Sequence, residues 1–392
     1  PQAGLTWKQD IEKPVRVRLA QDLSRLTIQG LGVHITPKPS EVLANRLGSI
    51  TVERVKTEVG WFWKIQSPQS EKNGKGFILR SGAQLIVEGI DLRRGGQDLP
   101  GRLVLAAKLK GFDLIGVLPL ENYLVGVLAS EMPLAWPLEA LKAQAVAARS
   151  YTLAVMRDRR RLAFDVESSI LDQVFNHISR RLDDDKMIQK AKRAVSETSG
   201  VVLLGSRSQV AKAYYHADCG GRTSSEKSVW GVGDKTTFVT DSFCPGHPRS
   251  KWDMSLRESE LREKLAKRFQ ISKPIASLLP MPAIKGDRAS RLKLRFEDGS
   301  EKILNAGEFR EALGYSTLRS TFFQVERKGD EFEFKGQGWG HGVGLCQWGS
   351  RKLADIGRGA LEILKHYYPA TQVVGDIRNS PTVALRRTEP QK

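Results

Sequence analysis

The segment from Leu118 to Leu153 constrains the fold more than any other part of this 392-residue chain. Pro137 suits the first turn of a helix, where its missing N–H is no loss. Apolar or small residues then recur at helical spacing along one stripe, at Leu138, Leu141, Ala145, Ala148, Thr152 and Val155. The sequence therefore predicts a long central helix that begins near Pro137.

Glu131 precedes this helix, in what we expect to be a tight turn among apolar residues and prolines. A carboxyl group in apolar surroundings can have its pKa raised, which is what a general acid requires at neutral pH. The alternative is that Glu131 only caps the start of the helix, where negative charge is favoured. A second unusual segment far downstream favours the catalytic interpretation.

Polar side chains border the apolar stripe of the predicted helix. Lys142 and Arg149 lie seven residues apart and project from the same flank, and Gln144 lies on the opposite border. The small residues between them would let another backbone pack close and leave these long side chains reaching into a cleft. The alternative is that they are simply exposed to solvent.

The downstream segment, 336–350, has six glycines in fifteen residues. So many glycines indicate positive-φ turns or a backbone that must approach something closely. Between the glycines stand Trp339, His341, Gln347 and Trp348, and such aromatic and amide side chains are the usual contacts of a sugar-binding cleft. The spacing matches neither the GxxxxGK[ST] nor the GxGxxG pattern of phosphate-binding loops. Taken alone, His341 would be a structural residue.

Several motifs make the chain resemble the family of stage II sporulation protein D and the amidase enhancer of bacterial cell walls. The matching runs are Glu121–Leu124, Ala129–Pro133 (ASEMP), Glu139–Tyr151, Tyr214–Thr223, Phe309–Thr321 and Gly338–Gly349 (GWGHGVGLCQWG). The resemblance covers most of the chain, from about residue 15 to about residue 372.

This resemblance implies a lytic transglycosylase that cleaves the bond between MurNAc and GlcNAc in peptidoglycan strands and leaves 1,6-anhydro-MurNAc ends. Glu131 would be the general acid and base, with no catalytic cofactor. Most glycosidases need two carboxylates, and no second acidic residue close to Glu131 in sequence plainly fills that role. The substrate would be bound by Lys142, Gln144, Arg149, Tyr151, Trp339, His341, Gln347 and Trp348. The alternative is a non-catalytic glycan-binding enhancer of a cell-wall amidase.

The predicted fold class is α+β, with β-rich N-terminal and accessory regions around a catalytic core that contains the long helix. Residues 1–115 are a β-rich N-terminal region of short apolar runs separated by turn residues. Residues 116–252 are the catalytic core, and residues 253–377 are an α+β segment that completes it with the Gly-rich loop. Residues 378–392 are a polar tail that we expect to be disordered.

Two close pairs of nitrogen and sulfur donors, His216 with Cys219 and Cys244 with His247, suggest a metal site. Their short spacing and donor types match a structural Zn²⁺ site. The rival is a disulfide between Cys219 and Cys244, which suits an oxidising compartment. A third alternative is that His216 lines the active site and His247 belongs to a loop. Cys346 is expected to be a buried small residue.

The net charge of +18, from 62 Lys and Arg against 44 Asp and Glu, indicates a polyanionic partner. The basic residues are spread along the chain without a nucleic-acid-binding signature, so the anionic cell envelope is the preferred partner and nucleic acid is not. No run of 18 apolar residues exists to form a transmembrane helix. Because the chain opens on Pro1, we expect a processed, exported protein whose signal peptide or membrane anchor has been removed. It would work in the periplasm or at the outer face of the cytoplasmic membrane.

Overall fold

The structure is a computed structural model that describes residues 6–36, 44–68, 76–80, 82, 84–231, 239–244, 250–283 and 286–375. The described residues separate into two units that interleave along the chain, whereas the predicted regions are consecutive. Residues up to 136, together with 148–212 and 374–375, form the first unit. Residues 137–147 and 213–373 form the second. The predicted tail, 378–392, lies outside the described residues.

The first unit is built on a β-sheet that has ten strands among the described residues. These are β1 (Val15–Leu23), β2 (Arg25–Thr36), β3 (Ala44–Thr57), β4 (Gly60–Gln66), β5 (Phe77–Arg80), β6 (Gln84–Arg94), β7 (Gln97–Asp98), β8 (Arg102–Ala107), β9 (Phe112–Leu118) and β10 (Val166–Glu167). Their order is β10-β1-β9-β8-β6-β2-β3-β4-β5, with β7 paired to β6. Strand β10 is parallel to β1, and the other neighbours in this sheet are antiparallel.

One face of this sheet forms an apolar core, as alternation with period two requires. Leu26, Ile28, Ile50 and Val52 are buried from paired strands β2 and β3. The rings of Trp63 and Phe112 also pack in this core in an edge-to-face arrangement, with their centroids 5.3 Å apart.

One helix, α1 (Thr6–Ile11), precedes the sheet in the chain. Three more, α2 (Leu120–Glu131), α3 (Leu138–Asp158) and α4 (Lys186–Ser196), come after β9. Strand β9 leads into α2 through Pro119, which occupies the N-cap position with φ −56°. The Asp185 side chain caps α4 by accepting from the N–H groups of Met187 and Ile188. Helix α2 packs against α4.

The long helix predicted from the sequence is confirmed as α3. It is not a one-faced helix, however, because every residue from Ala140 to Met156 is buried. Alanines at 143, 145, 147 and 148 let neighbouring backbone pack close on several sides. We therefore expect most of the polar side chains in this stretch to have partners inside the protein.

The second unit combines short strands with helices. Its strands are β12 (Tyr215–His216), β13 (Lys251–Arg257), β14 (Ile275–Pro282), β15 (Ala289–Phe296), β16 (Glu301–Asn305), β17 (Phe323–Lys328), β18 (Glu331–Gln337) and β19 (Leu345–Cys346). Its helices are α5 (Glu226–Trp230), α6 (Glu258–Phe269), α7 (Ala306–Leu313), α8 (Gln347–Asp355) and α9 (Ala360–Tyr367). The remaining short elements are β11 (Val202–Leu204), β20 (Gln372–Val374) and two 3₁₀ turns, Arg180–Leu182 and Ser206–Ser208.

Two antiparallel sheets, β13-β18-β17 and β14-β15-β16, share one apolar core with α6 and α7. Phe309, Phe332 and Phe334 are fully buried in it. Strands β12 and β19 form a separate parallel pair, which joins two motif-bearing segments. The mixture of sheets and helices in both units confirms the α+β class. None of the helices in the described residues has the length and apolar character needed to span a membrane.

Candidate functional site

Glu131 is the last residue of α2. Met132 then adopts an extended conformation, with φ −134° and ψ 143°, and a turn separates it from the start of α3 at Leu138. The alternative that Glu131 caps the start of the long helix is therefore wrong. Glu131 thus lies at a helix C-terminus, where the exposed backbone carbonyl groups carry partial negative charge.

A loop that follows β10 holds the carboxyl group of Glu131 in place. The backbone N–H of Val174 donates to Glu131 Oε1 over 2.7 Å. Gly126 of α2 permits this approach, because a Cβ there would come within 2.5 Å of the carbonyl oxygen of Asn176. The orientation of the carboxyl group is thus set by the backbone of a different element.

A buried polar side chain, Gln173, lies in the same loop and ties it to two helices. Its Oε1 accepts from the hydroxyl of Tyr123 on α2 over 3.0 Å and from that of Thr152 on α3 over 2.8 Å. Burial, reinforced by nearby acidic groups, raises the pKa of Tyr123 well above its usual value. The hydroxyl therefore stays protonated and remains a donor to Gln173.

Tyr151, which the resemblance assigns to substrate binding, is bound within the protein. Its hydroxyl donates to Asp172 Oδ1 over 2.9 Å, and 5% of the residue is exposed. Asp172 also pairs with Arg159 and accepts from the N–H of Glu167 over 2.8 Å. Because both oxygens of Asp172 accept internal hydrogen bonds, this carboxylate is poorly suited to activate a water molecule.

The structure differs from the expectation for Lys142, Gln144 and Arg149, which have no exposed surface. The stripe of α3 has no solvent-facing border, because the helix is buried on every side. Lys142 pairs with Glu139 over 2.9 Å. Neither amide atom of Gln144 has a hydrogen-bond partner among the described residues. None of the three side chains can touch a glycan in this conformation.

Arg149 makes a two-bonded ion pair with Glu121, the first acidic residue of α2. Nε donates to Oε1 over 2.9 Å, and the second bond to Oε2 is 2.6 Å long. The guanidinium also lies 3.3 Å from the carbonyl oxygens of Val195 and Val201. Such planar, charge-assisted contacts are strong and directional. The pair therefore fixes α2, which carries Glu131 at its other end, against α3.

The Gly-rich segment, 336–350, belongs to the second unit and adopts the left-handed turns that its glycines predict. The φ angle is +81° at Gly342 and +73° at Gly344. A Cβ at Gly342 would overlap the guanidinium of Arg288, and one at Gly344 would overlap the carbonyl oxygen of Tyr214. Glycine is thus required at both positions for conformation and for close approach.

His341 packs into an aromatic group of the second unit. Its ring centroid lies 5.2 Å from that of Trp230, 5.9 Å from Tyr214 and 5.7 Å from His216. The N–H of Val343 donates to Nδ1 over 3.0 Å, which places the imidazole proton on Nε2. Burial, together with the charges of two arginines, lowers the pKa of His341 to about 3. The ring is therefore neutral at physiological pH.

The other predicted residues of the Gly-rich segment differ in exposure. Trp339 is 36% exposed, and the guanidinium of Arg319 lies 5.0 Å from its ring centroid. Trp348 is half-buried, with Arg351 stacked at 5.1 Å. Gln347 is buried, and its Nε2 has no hydrogen-bond partner among the described residues. Trp339 therefore offers the most accessible surface of the four for a sugar ring.

The sequence predicts four zinc ligands, His216, Cys219, Cys244 and His247. The structure brings Cys219 and Cys244 together, with Cys346 and Asp218 beside them. His216 is not part of this group, and its Nδ1 lies 3.1 Å from a backbone carbonyl oxygen instead. His247 lies outside the described residues. The three cysteines are free thiols, so the structure contains no Cys219–Cys244 disulfide.

Sequence reasoning missed two groups of residues. In the first group, Asp172 accepts from Tyr151, Gln173 connects two helices and Val174 donates to Glu131. All three residues lie in a loop that has no periodic sequence pattern. Their one sequence signal is a polar pair flanked by apolar residues. Cys346 and Asp218 were missed because nothing in their spacing relates them to each other. Backbone pairing of β12 with β19 and of Asp218 with Trp339 brings their segments together.

A cavity of about 730 Å³ opens in the first unit at the start of α2. Its lining includes Glu121 and Asn122 of α2 and His177 of the loop beyond. Glu131 does not line it, because it lies at the opposite end of the helix. The cavity is therefore separate from the candidate catalytic carboxyl group.

Two known sequence families match parts of the chain. A family model described as "Stage II sporulation protein" matches residues 108–204, which include Glu131 and the whole of α3. A model described as a domain of unknown function (DUF8618) matches residues 239–344, which include His341. The matched regions together contain most of the residues singled out above.

Individual relatives match about two thirds of the chain. An uncharacterised protein of Brachyspira hyodysenteriae is 31% identical over 67% of this chain and 68% of its own length. The stage II sporulation protein D of Bacillus subtilis is 28% identical over 65% of this chain and 74% of its own length. The amidase enhancer of Bacillus subtilis is 27% identical over 63% of this chain and 40% of its own length. Similarity therefore extends beyond the matched family domain.

Proposed function

The chain belongs to the family of stage II sporulation protein D, and on this basis we propose that it is a peptidoglycan lytic transglycosylase. It would cleave the glycosidic bond between MurNAc and GlcNAc in glycan strands and leave 1,6-anhydro-MurNAc ends. The observation that carries the proposal is the position of Glu131, half-buried at the end of α2 and oriented by the N–H of Val174.

In this mechanism one carboxyl group serves twice. The protonated carboxyl group of Glu131 donates to the glycosidic oxygen as the bond to C1 of MurNAc breaks. The 6-hydroxyl of the same sugar then attacks C1, and the carboxylate accepts the proton that this hydroxyl loses.

A hydrolase would need a second carboxylate to activate water. Asp172, which lies in the loop that holds Glu131, is engaged by Tyr151, Arg159 and a backbone N–H. An intramolecular attack by the 6-hydroxyl avoids this need. The engagement of Asp172 therefore favours transglycosylation over hydrolysis.

The second unit offers a surface for carbohydrate. Trp339 presents a partly exposed ring of the kind that stacks on sugars, with the Arg319 guanidinium over it. The imidazole of His341 is neutral, and the backbone groups of Val343 and Tyr215 hold it beside this surface. We propose that this surface binds glycan. The net charge of +18 would attract the protein to the anionic cell envelope.

The test compares glycan strands, intact and peptide-free, after incubation with wild-type protein, Glu131→Gln and Glu263→Gln. The amide oxygen introduced by Glu131→Gln can still accept from the N–H of Val174, so we expect unchanged melting. Loss of general acid–base catalysis should lower the rate at least about 100-fold. Glu263 lies on the exposed surface of α6, and its variant should retain full activity. Mass spectrometry should detect anhydro ends from the wild type and Glu263→Gln alone.

Other products would contradict this assignment. Reducing ends from the wild type would indicate a hydrolase. Full activity of a normally melting Glu131→Gln variant would remove Glu131 from the mechanism.

A second candidate function is a glycan-binding enhancer of a cell-wall amidase. It is favoured by the relative named amidase enhancer, which matches 63% of this chain. In that case the wild type would bind strands without cleaving them and would stimulate a purified cell-wall amidase. Glu131→Gln would then stimulate as well as the wild type, because no proton transfer is involved.

A further inference from the structure

The three cysteines of the chain converge in the second unit although they are far apart in sequence. Cys219 follows β12, Cys244 lies in a loop, and Cys346 ends β19. Together with Asp218 they place three sulfur atoms and a carboxylate oxygen within 4.8 Å of one another. All four residues are buried, with at most 3% of any one exposed.

Backbone N–H groups point at two of these sulfur atoms. Cys346 Sγ accepts from the N–H groups of Cys219 and Gly349, each over 3.3 Å. Cys219 Sγ accepts from the N–H of Gly221 over 3.3 Å. Cys346 is also the N-cap residue of α8, where the helix dipole favours negative charge. Donors directed at sulfur stabilise the thiolate form over the neutral thiol.

Burial acts in the opposite direction, since it raises the pKa of the Cys346 thiol well above its usual value. The surroundings add further acidic groups. Asp241 Oδ2 lies 3.3 Å from Cys219 Sγ, and Asp218 Oδ1 lies 2.9 Å from Cys244 Sγ. The buried guanidinium of Arg288 donates to the carbonyl oxygen of Cys219. Three thiolates and two carboxylates would carry more negative charge than one guanidinium compensates, so these groups can ionise together only when a cation binds among them.

The spacing fits a tetrahedral metal better than a disulfide. With Zn–S bonds of about 2.3 Å, neighbouring sulfur atoms of a tetrahedral site lie about 3.8 Å apart. Sγ of Cys244 and Sγ of Cys346 lie 3.5 Å apart. A disulfide would use two of the three sulfur atoms and supply no charge to the neighbouring carboxyl groups. Thiolate donors also select zinc over hard cations such as Mg²⁺.

We propose that Cys219, Cys244, Cys346 and Asp218 bind one Zn²⁺ ion as a structural S₃O site. The ion would join three segments of the second unit, and Cys346 would anchor the Gly-rich segment directly before Gln347. This proposal does not depend on glycan cleavage, because a structural ion would also serve a non-catalytic glycan-binding protein.

The first experiment is elemental analysis of the full chain purified without chelator and without reductant, together with its intact mass. We expect about one zinc per chain, a mass with no hydrogen lost, and thiols that react with an alkylating reagent only after a chelator is added. Replacement of the zinc by Co²⁺ should give thiolate-to-cobalt charge-transfer absorption and the intense d–d bands of a tetrahedral site.

Variants then identify the ligands. Cys244→Ser and Cys346→Ser should lose the cobalt bands, and Asp218→Asn should weaken metal binding while it retains the thiolate absorption. His216→Gln is the matched control, since this buried neighbour is not part of the cluster and should retain one zinc per chain. Circular dichroism of each variant separates loss of metal from loss of fold.

Three results would overturn the proposal, and each is measured apart from glycan cleavage. The first is a chain with three free thiols that binds neither Zn²⁺ nor Co²⁺. The second is an intact mass two hydrogens lower, which would show a disulfide. The third is a folded Cys346→Ser variant that binds zinc as tightly as the wild type.

Discussion

The Arg149–Glu121 ion pair gives the sharpest test of whether the polar residues of α3 bind glycan or support the fold. Arg149→Met removes the guanidinium and keeps an unbranched chain, whereas Glu121→Gln keeps the shape of the side chain and removes its charge. The Arg149 side chain has no exposed surface, but 32% of the Glu121 side chain is exposed. We therefore expect the two variants to be destabilised by different amounts.

The magnitude follows from the charge that is left behind. Removing one partner of a buried ion pair costs about 3–5 kcal/mol of unfolding free energy. In Arg149→Met the remaining carboxylate can be hydrated through its exposed part, so we expect the lower end, about 3 kcal/mol. In Glu121→Gln the guanidinium stays buried against two carbonyl groups, and we expect about 4 kcal/mol. A loss of about 3 kcal/mol corresponds to a melting temperature roughly 6–12 °C lower.

A double-mutant cycle in urea unfolding, followed by circular dichroism, separates this pair from simple loss of packing. The double variant leaves no uncompensated charge, so its cost should fall short of the sum of the single costs by about 2 kcal/mol. Arg157→Met, on the exposed end of the same helix, is the matched control and should cost less than about 1 kcal/mol.

Glycan binding by the folded variants completes the test. Arg149→Met should sediment with glycan strands as the wild type does, because its side chain lies out of reach of a ligand. Additive single costs, or weaker glycan binding by a variant of unchanged stability, would refute the assignment of Arg149 to the fold and return it to the substrate.

Two further predictions concern the Gly-rich segment and the histidine within it. Gly342→Ala should lower stability by more than Gly329→Ala, because both have positive φ (+81° and +61°) but only Gly342 faces another group, the Arg288 guanidinium. The backbone part is about 1–2 kcal/mol in each, and equal melting temperatures for the two variants would contradict the packing argument. The pKa of His341 is lowered to about 3 in the folded state, whereas an imidazole in the unfolded chain has a pKa of about 6.5. Between these values only the unfolded chain binds a proton at this residue, so the unfolding free energy should fall as the pH decreases from about 6.5 towards 3. The unfolding free energy of His341→Gln should depend less steeply on pH, by up to about 1.4 kcal/mol per pH unit, and identical slopes would contradict a neutral, half-buried imidazole.

The elements that could be predicted are those that carry a complete local pattern. Strands β1 to β4 and β9 can be predicted from short apolar runs bounded by turn residues, because alternate residues of a strand face the core of the sheet. Helix α3 follows from its spacing and from Pro137. Helix α2 could not be separated from a buried strand in this way, because residues 123–129 form a continuous run of apolar and small residues. This is why Glu131 was expected in a turn rather than at a helix end.

The polar residues of α3 were expected in a cleft but are buried, and this difference has another origin. Spacing along one helix does not reveal what covers its other faces. Lys142 and Arg149 do share a flank of α3, but other parts of the protein cover that flank. The two side chains therefore form ion pairs with Glu139 and Glu121 and do not reach into a cleft. A long polar side chain beside alanines is therefore compatible with two opposite roles. The surrounding elements decide between them, and no window of this sequence contains those elements.

The cysteine cluster could not be predicted for the same reason, because local spacing does not reveal which distant residues meet in the fold. Short spacing between donors favours a local metal site, since few backbone dihedrals must be fixed to bring two ligands together. The structure instead gathers Cys244 and Cys346 across 102 residues and Cys219 and Cys346 across 127. The folded unit has already fixed those long loops, so an ion that binds there need not order them again. A ligand set assembled in this way is preorganised, which is why we place Zn²⁺ on the converging cysteines and not on the histidines that stand nearest to them in sequence.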